Sequence, residues 1–223
     1  MEKKVVTIAE CSCTVCSTDH PQVIVIQPVD EHDLALIDGE AEYLLQSACR
    51  PFQLIAFKVH DWWHDLTPWE APPVFGRQSF GDGAAQTLQF VERQLLPHFS
   101  ASLPLYMAGY SLAGFFALWC SYHSSRFQGV AAVSPSVWYP DWMEYAEKHP
   151  CLASDVYLSL GKTEEHAKNP LMSRVGCCIR RQYALLQAQQ LSRLALEWNE
   201  GNHFREPGIR TAKGLAWLLG AGK

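Results

Sequence analysis

The stretch that decides the fold runs from residue 103 to residue 119, Leu103-Pro-Leu-Tyr-Met-Ala-Gly-Tyr-Ser-Leu-Ala-Gly-Phe-Phe-Ala-Leu-Trp119. It reads as a short apolar strand that enters GYSLAG and leaves as an apolar helix. A serine on such a sharp strand-to-helix turn is held with its hydroxyl clear of the sheet. The strained backbone there leaves room only for small residues two positions before and two after it. Those positions hold Gly109 and Ala113, with Gly114 next. The pattern is that of a nucleophile elbow, and Ser111 is the candidate nucleophile. Ala113 stands where a second glycine is usual, and a methyl is the largest group expected to fit there.

Outward from this turn, short apolar runs alternate with helical patterns. Strands are expected at Val23–Ile26, Leu54–Phe57, Leu103–Ala108, Val130–Val133, Val156–Leu160 and Leu194–Trp198. Helices are expected at Gly39–Cys49, Ala84–Leu96, Leu112–His123, Pro170–Gln190 and Pro207–Leu219. The strands are near-continuous apolar runs, as strands covered by helices on both faces are. This predicts an α/β fold with a doubly wound, mostly parallel sheet, formed by residues 1–223 as a single domain. The longest stretch without regular pattern, Trp62 to Gly83, is expected to carry function.

Ligands of an open parallel sheet bind beyond the carboxyl ends of its strands. Three segments follow strands in this way: Ser111, the Gly161-Lys-Thr-Glu-Glu165 turn, and Gly201-Asn-His-Phe204. Their order is serine, carboxylate, histidine, the order of the α/β-hydrolases. A serine hydroxyl becomes a good nucleophile when a neutral imidazole takes its proton, and a carboxylate fixes the imidazole tautomer. Of nine histidines, His203 is favoured because it lies after the last expected strand and before the last helix. Glu164 is preferred over Glu165 as the acid, and Asp155 lies before its strand, at the wrong end of the sheet.

An oxyanion hole of this geometry uses the backbone N–H after the nucleophile, here Leu112, and a second N–H from the loop after the Leu54–Phe57 strand. Trp62 is the preferred second donor, with Asp61 the alternative. Trp62, Trp63 and Trp138 are candidates to line an acyl or alcohol pocket. The competing reading is that these tryptophans fill the core.

The chain has 18 Lys and Arg against 23 Asp and Glu, a net charge of −5, and 48% hydrophobic residues. No basic run offers a footprint for phosphate backbones, so nucleic acid is not an expected partner. Nothing in the sequence reads as a secretory leader or a membrane span, so a cytoplasmic protein without membrane association is expected. Its eight cysteines are then free thiols. Cys11, Cys13, Cys16 and His20 offer zinc-ligand chemistry, but they are crowded into ten residues without paired CxxC knuckles. No metal and no cofactor are expected.

GYSLAGFFAL, HDWWHDLTPW, FGDGAAQTLQFVERQLLP, SPSVWY, SLGKTEEHAKNP and EWNEGNHF together resemble the esterase family of α/β-hydrolases that holds esterase D (S-formylglutathione hydrolase) and the siderophore esterases. The resemblance runs from about Gln22 to Gly220. It implies a serine esterase with Ser111 as nucleophile, His203 as base and a carboxylate in the 161–165 turn. Ala113 departs from the family's common glycine, no Arg/Lys cluster is evident for an anionic siderophore, and no segment reads as a separate cap domain. The resulting expectation is a hydrolase of a small-molecule carboxylic ester or thioester, acting through a Ser111-His203-Glu164 triad and an acyl-enzyme. The alternatives are an acyltransferase or peptidase with the same triad, and a non-catalytic binding module on a hydrolase scaffold.

Overall fold

Each of the six expected strands is present, five of them longer than expected and the one expected at Leu103–Ala108 shifted to Leu105–Tyr110. In the computed structural model, which describes residues 1–74, 76–100 and 102–220, they are joined by two N-terminal strands that the sequence reading omitted. Among the described residues the sheet has eight strands, β1 (Glu2–Ile8), β2 (Cys11–Ser17), β3 (Val23–Val29), β4 (Phe52–Lys58), β5 (Leu105–Tyr110), β6 (Phe127–Val133), β7 (Asp155–Gly161) and β8 (Arg193–Asn199). Their order across the sheet is β1-β2-β4-β3-β5-β6-β7-β8. β1 pairs antiparallel with β2, and β2 antiparallel with β4. Every other neighbouring pair is parallel.

Helices cover both faces. One face carries α5 (Ser111–His123), whose residues Leu112 to Tyr122 are all buried, together with α4 (Ala84–Phe90), α6 (Trp142–Lys148) and α7 (Val175–Ala188). The opposite face carries α2 (Ile37–Ser47) and α8 (Pro207–Leu218), packed over Val25, Leu54, Tyr106 and Ala131. A helix apolar on all sides, as α5 is, belongs in the middle of such a core. Pro207 opens α8, a position where its missing N–H has no intrahelical acceptor in any case.

Several expected boundaries shift for local reasons. The helix expected over Ala84–Leu96 is α at 84–90, π-helical at Val91–Leu95 and 3-10 at Leu96–His98, where Pro97 cannot donate to a continuing α-ladder. The helix expected from Pro170 begins as α7 at Val175 after a 3-10 turn at Met172–Arg174. Asn169 accepts from the N–H groups of Leu171 and Met172 ahead of it. The Trp62–Gly83 segment contains a single-turn helix, α3 (Trp62–Asp65), capped by Asp61, and a bridge between Ala71 and Phe80.

All eight cysteines are free. The Cys11–Cys16 run lies within β2, and strand parity divides it. Cys11 and Cys13 point into the core of the α5 face, whereas Cys16 points into the core of the α2 and α8 face. The three thiols therefore do not converge on one metal. Among the described residues no helix is long and apolar enough to cross a membrane.

Candidate active site

The strands β5 to β8 deliver their carboxyl ends side by side, and the functional candidates gather there. Ser111 takes φ 57°, a left-handed conformation costly for a residue with a side chain. What permits the turn is close packing beneath it. A Cβ on Gly109 would lie 2.4 Å from the Ala113 carbonyl carbon, and one on Gly114 would lie 2.8 Å from the Gly109 carbonyl oxygen. Ala113 itself is fully buried.

His203 sits on the loop after β8, with Gly201 at φ 91°. This loop is stitched to the turn after β7, since Lys162 N–H donates to the Asn199 carbonyl (2.9 Å) and Thr163 N–H to the Gly201 carbonyl (3.1 Å). The stitching places His203 Nε2 3.0 Å from Ser111 Oγ and His203 Nδ1 2.8 Å from Glu164 Oε2. Glu165 turns away into an exposed two-point ion pair with Arg180, at 2.8 and 3.0 Å. Asp155, buried at the opposite end of β7, lies 3.7 Å from Arg193.

Glu164 is held more tightly than the sequence suggests. Its Oε1 accepts from the Ser134 hydroxyl (2.7 Å), the Gly161 N–H (2.6 Å) and Arg210 Nη2 (2.8 Å), which leaves Oε2 for His203. Burial pushes this carboxyl upward. The hydrogen bond and charge of His203, with the hydrogen bonds of Ser134 and Arg210, outweigh that and hold it at about 2. Ser134, Tyr110 and Arg210 were not singled out from the sequence. A lone arginine in an amphipathic helix reads as a solvent-facing residue, yet Arg210 is only 2% exposed.

Ser111, Leu112, Glu164 and His203 line a cleft of about 880 Å³. Trp62, Trp63 and Trp138 line it too, so all three expected pocket tryptophans are brought to it. Trp138 is also mostly buried and stacks edge-on against Phe80. Met172, Val175 and Phe204, which sequence reasoning did not select, complete an apolar wall and rim. Leu112 lies in the first turn of α5, where helix N–H groups have no intrahelical acceptors. On the facing loop, Asp61 accepts from the N–H groups of Trp63 and His64, and its own N–H donates to Asp65. Trp62 is left as the residue of this turn whose N–H has no acceptor among the described residues. Among the described residues no group of three or more His, Cys, Asp or Glu side chains converges on a metal position.

The sequence matches no protein-family model and no curated protein. Three-dimensional similarity is extensive. An IroE-like serine hydrolase from Shewanella oneidensis superposes with a TM-score of 0.76 at 14% identity, over 98% of this chain and 80% of that one. The siderophore hydrolase EstA from Aspergillus nidulans gives 0.71 at 17% identity, over 98% and 93%. The enterobactin esterase FES from Shigella flexneri gives 0.68 at 18% identity, over 97% of this chain and 58% of that one. The strand order, the helices on both faces and these superpositions show an α/β-hydrolase fold.

Proposed function

We propose that the protein is a serine esterase that cleaves a small-molecule carboxylic ester or thioester through an acyl-enzyme. The observation that carries this reading is the unbroken line of contacts from Ser111 Oγ through both ring nitrogens of His203 to Glu164 Oε2, opening on the cleft. In this reading Ser111 sits on a nucleophile elbow and attacks the substrate carbonyl as His203 Nε2 takes the hydroxyl proton. Glu164 holds His203 in the tautomer with the proton on Nδ1 and stabilises the imidazolium that forms. The N–H groups of Leu112 and Trp62 receive the oxyanion of the tetrahedral intermediate. His203 then returns the proton to the leaving group, and water, activated by the same imidazole, releases the acid. Trp62, Trp63 and Trp138 supply the apolar walls that seat the acyl or alcohol part. The structural neighbours, which are described as serine hydrolases and siderophore or enterobactin esterases, support ester hydrolysis as the reaction class. The eight free thiols suit a reducing, cytoplasmic setting.

The test is labelling of the purified chain by a fluorophosphonate probe, with the modified residue mapped by mass spectrometry. Modification of Ser111, lost in Ser111→Ala, is the expected result. A chain that neither labels nor hydrolyses any member of an ester and thioester panel would be a binding module on this scaffold.

A further inference from the structure

Arg210 occupies an unusual place, a guanidinium buried under the site and anchored in α8, the helix that follows the His203 loop. Its two terminal nitrogens point to different parts of the machinery. Nη2 donates to Glu164 Oε1 at 2.8 Å and to the Ser134 hydroxyl, which itself donates to the same carboxylate oxygen. Nη1 donates to the Tyr110 hydroxyl at 2.9 Å and to the Asn202 carbonyl at 3.2 Å. The Tyr110 hydroxyl in turn donates to the His203 carbonyl at 2.6 Å. One side chain thus ties together the ends of β5 and β6, the turn after β7 and the loop after β8.

We propose that Arg210 is a positioning residue that clamps Glu164 and the His203 loop into a single unit, so that the acid and the base keep their register through the reaction. The proposal rests on Ser111, His203 and Glu164 being the reacting groups. Its physical basis is the planar fork of the guanidinium, which directs donors along fixed lines that an ammonium does not reproduce. The charge alone would be a poor reason for the residue, because a cation here opposes the imidazolium that forms on His203. The arrangement limits that opposition. Arg210 engages Oε1, on the side of the carboxylate away from the histidine, and leaves Oε2 to His203. Acidic groups also act on this region: Asp33 and Glu164 on Tyr110, with His203 acting in turn on Asp33.

The test uses the full chain and an ester that the wild type turns over, with rates expressed per serine labelled by the fluorophosphonate. Arg210→Met removes both arms and is expected to lower kcat by about 10- to 100-fold with KM little changed, since displacing a reacting group by about 1 Å costs about 10²-fold. Arg210→Lys keeps the charge but reaches one arm only, and should recover part of the lost kcat. Tyr110→Phe removes the hydroxyl that accepts from Arg210 Nη1 and donates to the His203 carbonyl, and leaves the Arg210 contacts to Glu164, Ser134 and Asn202 in place. It should lower kcat by about 3- to 10-fold, since a net hydrogen bond is worth about 1 kcal/mol, and add little when combined with Arg210→Met. Wild-type labelling at Ser111 together with unchanged kcat in all three variants overturns the clamp and leaves the triad standing. Absence of wild-type labelling overturns the triad itself. A loss that appears only in KM, or only in the amount of folded chain, also overturns the clamp. If Arg210→Met fails to fold, the lysine and phenylalanine variants decide, and wild-type kcat in both counts against it.

Discussion

Gly109 lies against Ala113 so closely that a Cβ on the glycine would come within 2.8 Å of the alanine methyl and 2.4 Å of its carbonyl carbon. Two small residues in contact therefore support the turn that carries Ser111 at φ 57°. Ala113→Gly is expected to stay within a few-fold of wild-type activity, with a small loss of stability from added freedom in the unfolded chain. Ala113→Val should push the turn outward and lower kcat/KM by about 10²-fold or more. Kinetics on both variants, with thermal melts to confirm folding, would check this, and a fully active valine variant would count against the elbow.

The two adjacent glutamates should behave very differently. Glu164→Gln disturbs a carboxylate that faces His203, Ser134 and Arg210, whereas Glu165→Gln disturbs an exposed pair with Arg180. Glu164→Gln is expected to cost at least about 10-fold more activity than Glu165→Gln. The folded pKa of Glu164, about 2, lies below its ordinary 4.5, so its stabilisation is present above pH 4.5 and is lost as pH falls from there toward 2. Thermal midpoints measured across that window should fall in the wild type and fall less steeply in Glu164→Gln. Equal activities of the two glutamine variants would remove Glu164 from the triad.

Glu40 titrates in the opposite sense. Burial in α2, offset by a hydrogen bond with Gln27 and reinforced by the charge of Asp33, raises its carboxyl to about 8. Among the described residues its Oε2 has no hydrogen-bond partner. A group whose folded pKa is raised contributes stability that is full below pH 4.5 and is lost as pH rises through 8. Glu40→Gln should therefore be more stable than wild type at pH 9, with the difference shrinking as the pH is lowered to 4.5. Parallel melting curves for the two proteins across this range would refute the assignment.

Phe204 is 83% exposed at the rim of the cleft, edge-on to His203. An apolar ring of that size left in water can cover a bulky substrate group, a contact worth about 1–2 kcal/mol. Phe204→Ala is expected to raise KM several-fold for aryl or long-chain esters while acetate esters and the thermal midpoint stay unchanged. A uniform change across the ester panel would show that Phe204 does not touch the substrate.

Strong chelators should leave activity and melting temperature as they are, because Cys11 and Cys13 face one side of β2 and Cys16 the other. Stoichiometric zinc by elemental analysis would contradict that geometry.

Six strands were legible because burial on both faces writes itself as an uninterrupted apolar run. β1 was not, since EKKVVTI is an edge strand that exposes most of its residues. β2 was hidden for another reason: CSCTVCS fills the core with small thiols and a buried threonine that do not read as apolar. α6 is a short helix whose N-terminal Asp141 is left-handed and makes no side-chain cap bond, although Asp141 and Glu144 stand at capping-box spacing. Ser111 could be picked from the GYSLAG pattern and His203 from chain order, because each follows a strand on the same rim of the sheet, whereas chain order alone does not separate Glu164 from Glu165. Ser134 and Arg210 could not, because their role arises only when β6 and α8 are brought together around Glu164.

Chain order also sets when the site can form during synthesis. Ser111 and His203 are 92 residues apart, and Arg210 lies beyond both. As the chain emerges from the ribosome, β5 and α5 are made well before β8 and α8. A nascent chain thus presents its serine without a base to take the proton and without the arginine beneath the acid. On the proposed triad, Ser111 stays without its base until nearly all of the sheet has been made.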